Sequence, residues 1–548
     1  MGGGLMQLVA YGAQDVYLSG NPQITFFKVV YRRHTNFSVE PIQQTWNGAA
    51  DFGRTVTCNI NRNGDLITNM YVAVKLNAAS KSQAWGYVRR LGHAMIESCK
   101  IEIGGSKIDE QYGDWLNIWY ELTHKVGQER GYAKMIGDVS DLTSINTSDL
   151  RAYQMYIPLQ FWFNRNNGLA LPLIALQYHD VRITLKFLDF LSCVNYSGKD
   201  APSSSNLMGD SYLLIDYVYL DSEERKRFAQ ASHEYLIEQL QFTGSESLTS
   251  VTSKYRLNFN HPSKYLIWAP HLERYNTRSS WIAWASGASS WSDAKDRFAR
   301  VLFVASRTGV AVTSTAIKVG VSASTAAGDL FEGSTATTAS SLATLLAKVE
   351  VKMVAQDSSA TSVTIASGTD LLTELLNNTL VVRNELTSED ISRTVAQLTA
   401  SGASSAVTAL ATINAIDYFN YGNFIDGTDN PVVSGKLQLN GQDRFQDRDG
   451  SYFNYVQPAQ HFSNTPADGI NVYSFALKAE DHQPTGTCNF SRIDNATLQV
   501  KCGLYNAESA GYTDAFLGSA SASLMNIYTQ NYNVLRVMSG MAGTAYSN

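Results

Sequence analysis

Charge is scarce in this sequence. Only 17% of its 548 residues are Asp, Glu, Lys or Arg, whereas 44% are hydrophobic; a soluble chain usually carries about 25% charged residues. A folded chain so poor in charge either presents a polar-neutral surface or buries much of it against other subunits. The net charge is −6, which excludes a protein that coats nucleic acid through a basic face. Cysteine is equally sparse: Cys58, Cys99, Cys193, Cys488 and Cys502 are odd in number, widely separated and free of any CxxC pair. This pattern points to a reducing compartment, with thiols serving as small apolar residues. No run of about 18 apolar residues is present to span a bilayer. The opening MGGGLMQLVAYGAQ has no basic segment leading into a long apolar stretch, so no signal peptide is expected. Met6 stands where myristoylation would need Ser or Thr. The expectation is a soluble protein made in the cytosol.

Signatures of chemistry are missing too. There is no P-loop and no GxGxxG. His233-Glu234 lacks the following histidine of a zinc-peptidase helix, and the nine histidines do not cluster at ligand spacing. GSASAS at 518–523 lacks the closing glycine of a nucleophile elbow. Asp443, Asp447, Asp449 and Gly450 superficially resemble a calcium loop, but the spacing is not that of an EF-hand. Arg444 and Arg448 interleave with these acids, so ion pairs in a turn are expected there. Six glycosylation sequons, at Asn36, Asn146, Asn195, Asn377, Asn489 and Asn495, read as chance matches without a secretory signal. No catalytic residue, metal ligand or cofactor is assigned.

What the chain does have is length, aromatics and alternation. With 548 residues it exceeds a single core, so two or more domains are expected. Its 29 Tyr and 22 Phe favour strands and supply interface anchors. Val56, Cys58 and Ile60 alternate with polar residues. An Asn63-Gly64 turn follows, and Met70, Val72, Val74 and Leu76 resume the pattern. KIEIGGSKID at 100–109 reads as a hairpin turning at Gly104-Gly105, and DVRITLKF at 180–187 as a strand with Val181, Ile183, Leu185 and Phe187 inward. Many short antiparallel strands point to a sandwich or barrel. Helical signals are few. Trp115, Ile118, Trp119 and Leu122 share a helical face, with Asp114 placed to cap it. LDSEERKRFAQASHEYLIEQ at 220–239 reads as a second helix: Asp221 and Glu224 suggest a capping box, and Phe228, Ala231 and Tyr235 fall on one face. Between strand-rich blocks it reads as an interdomain connector, with its charges as a solvated face of ion pairs. From about 276 to 435 the texture turns to Ser, Thr, Ala and Gly, marking a large insertion.

Several long stretches resemble the double jelly-roll major capsid proteins of nucleocytoplasmic large DNA viruses. They include GGGLMQLVAYGAQDVYLSGNPQITFFKVVYRRHTNF (2–37), GDWLNIWYEL (113–122), FWFNRNNGLALPLIALQYHDVRITLKF (161–187), HPSKYLIW (261–268), LQLNGQDRFQDRDGSYFNYVQPAQHF (437–462), GINVYSFALKAEDHQPTGTCNFSRIDNATL (469–498) and the terminal VLRVMSGMAGTAYSN. The resemblance covers the chain except for the insertion. It implies an all-β protein of two eight-stranded antiparallel jelly-roll barrels in tandem. The corresponding division is an N-terminal arm at 1–25, a first barrel at 26–220, a connector at 221–239 with Phe228 and Tyr235 as buried anchors, and a second barrel at 240–548 carrying the insertion. It further implies homotrimers that form pseudo-hexagonal capsomers of an icosahedral virion shell. Minor capsid proteins would lie beneath that shell, with an internal membrane possible nearby and no direct nucleic-acid contact. The arm is expected on the inner side of the shell and the insertion facing outward. A minor paralogous capsid protein of the same fold is the alternative within this class. The rival from another class is a jelly-roll carbohydrate-binding protein or glycosidase, which would need paired acids in a cleft.

Overall fold

The computed structural model describes residues 3–81, 85–143, 148–196, 202, 206–248, 250–272, 418–423, 429–506, 511–513 and 523–546, plus short strands at 311–312, 317–318, 351–353 and 380–382. In the first half, β1 (Phe37–Thr45), β2 (Thr55–Asn59), β3 (Leu66–Leu76), β4 (Ile96–Ile103), β5 (Ser106–Gln111), β6 (Tyr153–Pro158), β7 (Val181–Phe187) and β8 (Met208–Leu220) form two facing sheets. Their orders are β1-β8-β3-β6 and β2-β7-β4-β5, all antiparallel. In the second half, β9 (His233–Phe242), β10 (Thr252–Arg256), β11 (Pro262–His271), β12 (Val432–Leu439), β13 (Gln442–Asp443), β14 (Asn471–Ser474), β15 (Ala496–Cys502) and β16 (Leu524–Met538) repeat the scheme. Their orders are β9-β16-β11-β14 and β10-β15-β12-β13. First beside eighth and second beside seventh is the order of a jelly roll, and it occurs twice. Short flanking strands such as Glu246–Ser247 and Met541–Thr544 extend the sheets.

Side-chain alternation explains most of these strands. On β7, Val181, Ile183, Leu185 and Phe187 are buried while Arg182 and Lys186 face out. Val56 and Cys58 are buried on β2, and Met70, Val72, Val74 and Leu76 on β3. Gly104 and Gly105 turn the β4–β5 hairpin at positive φ, a conformation glycine adopts without strain. The Asn63-Gly64 segment, in contrast, joins no hairpin. β2 pairs with β7 and β3 with β8, so the turn carries the chain between sheets. Gly64 is needed there for close approach, since a Cβ would stand 2.9 Å from Tyr217.

Other boundaries also differ from the sequence expectation. The arm is longer: helices α1 (Gly3–Val9) and α2 (Ala13–Ser19) and the residues up to 36 are exposed, and the first strand starts at Phe37 rather than near 26. The insertion is shorter at its C-terminal end. It occupies the β11–β12 connection, but Phe419 and Tyr421 are buried in the barrel and β12 already runs from Val432. An aromatic hexapeptide there was masked by the Ser/Thr/Ala-rich texture before it. The outward placement expected for the insertion falls on residues outside the described ones.

Two hydrophobic clusters dominate the core. One fills the interior of the second barrel, with Leu266, Trp268, Ile527 and Leu498. The other fills the first barrel and continues across to Ile237, Tyr265, Ile267, Tyr528 and Leu535 of the second. Successive residues of β11 thus point alternately into the second barrel and into the seam between barrels. The β9-β16-β11-β14 sheet is covered on both faces, and SKYLIWAP accordingly runs buried without a break. A strand buried on both faces loses the polar alternation of a surface strand.

Candidate interbarrel interface

The seam is organised by α3 (Gly113–Thr123), a helix from the first barrel that lies against the second. Its first residue has to be glycine: a Cβ on Gly113 would stand 2.2 Å from the His93 carbonyl oxygen. Trp115, Ile118, Trp119 and Leu122 are buried as the helical spacing requires, with Trp115 stacked on Tyr265 at 6.5 Å and tilted against Tyr528 at 5.7 Å. Asp114 does not cap the helix, whose N-cap is Tyr112. Its carboxylate instead crosses the seam. Tyr421 Oη donates to it at 2.5 Å, Tyr528 Oη at 2.7 Å and Asn526 Nδ2 at 3.1 Å, and His271 Nε2 lies 3.3 Å away. Burial alone would raise this carboxyl, but His271 and the two phenols outweigh burial and hold it at about 2. His271 ends β11 and Tyr421 lies just before β12, so one carboxylate of the first barrel ties both stems of the insertion.

A second charged cluster lies further along the seam. Glu238 on β9 meets Arg165 of the first barrel at 2.9 Å, Lys264 of β11 at 2.9 Å and His482 at 3.6 Å. Lys264 is fully buried and also donates to the Asp481 carbonyl at 3.0 Å. Burial opposes ionisation of Glu238, but Arg165, His482 and Lys264 together hold its carboxyl at about 2. Asp109 on β5 behaves in the opposite way. It accepts the Leu240 amide across the seam at 2.9 Å and the Glu110 amide at 3.0 Å. Burial nevertheless dominates, and its carboxyl is pushed up to about 7.

The connector contains a helix and a strand. Helix α4 covers only Ser222–Gln230, and His233–Phe242 is β9, so the expected helix over 221–239 is corrected. The HEYLIEQLQF stretch pairs with β16 from His233 opposite Val537 to Phe242 opposite Tyr528; strand pairing overrides its helical spacing. Asp221 caps α4 through the Ser222 amide, not through a box with Glu224. Phe228 is half-buried against Leu66, Ala170 and Val218 of the first barrel. Tyr235 is half-buried against the main cluster. His233 stacks between them, 5.2 Å from Phe228 and 6.0 Å from Tyr235. Arg225 pairs with the buried Asp65 at 3.0 Å, while Lys226 and Glu223 remain exposed. Glu238, the last acid of the segment, is buried rather than solvated.

A model described as large eukaryotic DNA virus major capsid protein matches residues 224–543, and one described as major capsid protein N-terminus matches residues 25–221. The chain belongs to the large eukaryotic DNA virus major capsid protein family. It is 42% identical to the major capsid protein of Phaeocystis pouchetii virus and 41% identical to capsid protein 1 of Acanthamoeba polyphaga mimivirus, over 100% of each chain in both cases. Among solved structures it is similar to VP54 of PBCV-1, with a TM-score of 0.59 and 32% identity, covering 96% of this chain and 100% of that one. The Faustovirus major capsid protein shares the fold at a TM-score of 0.55 and 12% identity, covering 96% and 94% of the two chains.

As in this family of structural proteins, the conspicuous polar residues are architectural. Asp443 meets Lys436 at 3.3 Å and Gln438 at 2.7 Å, Asp447 accepts from Ser434, and Asp449 accepts from Ser451. The partners are thus a lysine, a glutamine and serines, not the neighbouring arginines. Among the described residues no group of three or more His, Cys, Asp or Glu is placed to hold a metal ion. All five cysteines are free thiols. Burial raises Cys58 to about 11 and Cys502 to about 12, so both act as inert apolar residues. Sequence reasoning did not single out Asp109, Arg165, Glu238 or Lys264 as a site. The one available signal was a lysine inside the apolar KYLIW run, since a buried lysine requires a buried acid.

Proposed function

We propose that this chain is the repeating subunit of an icosahedral virion shell, with three copies closing a pseudo-hexagonal ring that then tiles with its neighbours. The observation that carries this reading is the fusion of two jelly rolls through one continuous core. A rigid two-barrel block presents two sectors of a hexagon in fixed relation, so three copies complete the ring through one repeated, closing contact. A permanent ring contact buries more than about 2,000 Å², which agrees with a chain that carries so little charge. Phe228 and Tyr235 are proposed to anchor the connector, and minor capsid proteins and an internal membrane are proposed as neighbours on the inner side. The test is mass photometry of the purified protein combined with negative-stain imaging. Hexagonal particles of three times the 60.3 kDa chain mass are expected; a monodisperse monomer overturns the proposal.

A further inference from the structure

The arm poses a physical problem that the barrels do not. Between residues 24 and 31 it exposes Phe27 to 98%, Phe26 to 89% and Tyr31 to 86%, together with Ile24, Val29 and Val30. An exposed apolar run of this size marks a contact surface. The stretch is also basic: Lys28, Arg32 and Arg33 fall within residues 16–39, which contain no Asp or Glu. The rest of the chain has the opposite balance.

The seam offers a matching receptor. Beside the Glu238 cluster lies a cleft of about 830 Å³. It is lined by the aromatic rings of Trp119, Tyr120, Tyr132 and Trp162; of its charged residues Arg165 is taken up by Glu238, which leaves Glu480 and Asp481 facing a single further cation, Lys125. The Asp481 side chain is 54% exposed and pairs only loosely, at 3.8 Å, with Lys478. The connection that supplies Trp162 follows β6 and leaves the first barrel at the end where Phe37 faces Leu220, the same end at which the arm enters. Ten residues separate Phe27 from Phe37, a reach of about 33–36 Å when extended.

We infer that residues 24–33 of one copy seat in the seam cleft of a second copy, with Phe26 and Phe27 against its aromatic rings and the basic residues beside Glu480 and Asp481. The chain's own arm is exposed along its length and does not line its own cleft, which leaves the cleft free for a partner's. The N-terminal family model begins at residue 25, twelve residues before β1. The stretch is therefore part of what family members share, and the partner available to every member is another copy. This inference rests on the self-assembly reading above.

The test places the photoreactive residue p-benzoylphenylalanine at position 27 in the full chain. Two copies with different affinity tags are produced together, mixed oligomers are isolated by both tags, and the cross-links are mapped by mass spectrometry after illumination. Cross-links between differently tagged chains, landing on residues 119–135 or 480–482, are expected. A second variant, Gly131→Trp, fills the cleft from a position where an added Cβ meets open space. It should reduce the cross-link roughly ten-fold, the loss expected when one anchor is excluded, at unchanged oligomer mass. Oligomers that cross-link only within a chain, or to another surface, overturn the inference but leave the self-assembly reading intact. So does an arm that binds phosphatidylserine vesicles without intersubunit cross-links, which would identify a lipid surface as its partner. Failure to form any oligomer overturns both.

Discussion

Asp114 concentrates the electrostatics of the seam in one side chain. It is buried and receives three hydrogen bonds from residues more than 300 positions away in sequence, with His271 beside it. Removing one partner of such a buried cluster typically costs about 3–5 kcal/mol, so Asp114→Ala should lower the unfolding midpoint far more than the exposed Asp180→Ala. Its pH signature follows from its depressed pKa: support is complete above the ordinary carboxylate value of about 4 and is lost as pH falls towards 2. Glu238 is lost over a similar window, from 4.5 towards 2. Asp109 runs the other way. Its folded pKa is raised, so its contribution is complete below about 4 and declines as pH rises through about 7. Asp109→Asn keeps an acceptor for the Leu240 amide without titrating. Melting temperatures measured from pH 4 to 7.5 should therefore decline less with pH in this variant than in the parent. Parallel curves would exclude titration of Asp109 in that range.

The connector element combines exposed charges with one apolar contact. A fully buried phenylalanine contributes about 1.5–3 kcal/mol; Phe228 is half-buried, so Phe228→Ala should cost on the order of 1–1.5 kcal/mol. Lys226→Ala should change stability by less than about 0.5 kcal/mol, since its partner Glu223 is 89% exposed and such pairs are worth little. Arg225→Ala falls between these two or above, because it strips a charge partner from the buried Asp65. Thermal unfolding of the three variants ranks them directly. A larger loss from Lys226 than from Phe228 would mean that α4 holds the barrels through its exposed charges.

For the whole molecule, the shared core has a mechanical consequence. Cluster residues from both barrels pack as one body, so the polypeptide link between them is not what keeps them together. A protease site inserted between Ala231 and Ser232, both exposed, should be cleavable without separation of the halves in size-exclusion chromatography. Residues 1–221 produced alone should aggregate, because the seam face of the first barrel would be left in water. Halves that part on cleavage would show that the barrels are tethered rather than fused. Deletion of residues 2–20 removes only exposed helices and should leave ring-sized particles while impairing shell assembly. Loss of the ring itself would place that part of the arm in the ring contact.

Local periodicity was enough to read the strands around Val56, Met70 and Val181, the Gly104-Gly105 hairpin and the buried face of α3, because these depend on neighbours within a few residues. The double jelly roll came from long stretches resembling a known family, not from periodicity. What required the tertiary structure was everything decided by distant partners. HEYLIEQLQF carries a usable helical stripe, yet it is a strand because β16, some 300 residues later, offers it a full ladder of hydrogen bonds. Asp114 looks like a cap until Tyr421 and Tyr528 arrive from the other barrel. Phe228 and Tyr235 were readable as apolar positions, but how deeply each is buried depends on which barrel faces it. Glu238 looks like an ordinary surface charge, and only the apolar run around Lys264 hints at burial, until the seam removes water from both; which acid meets that lysine is a property of the assembled barrels that no local pattern encodes.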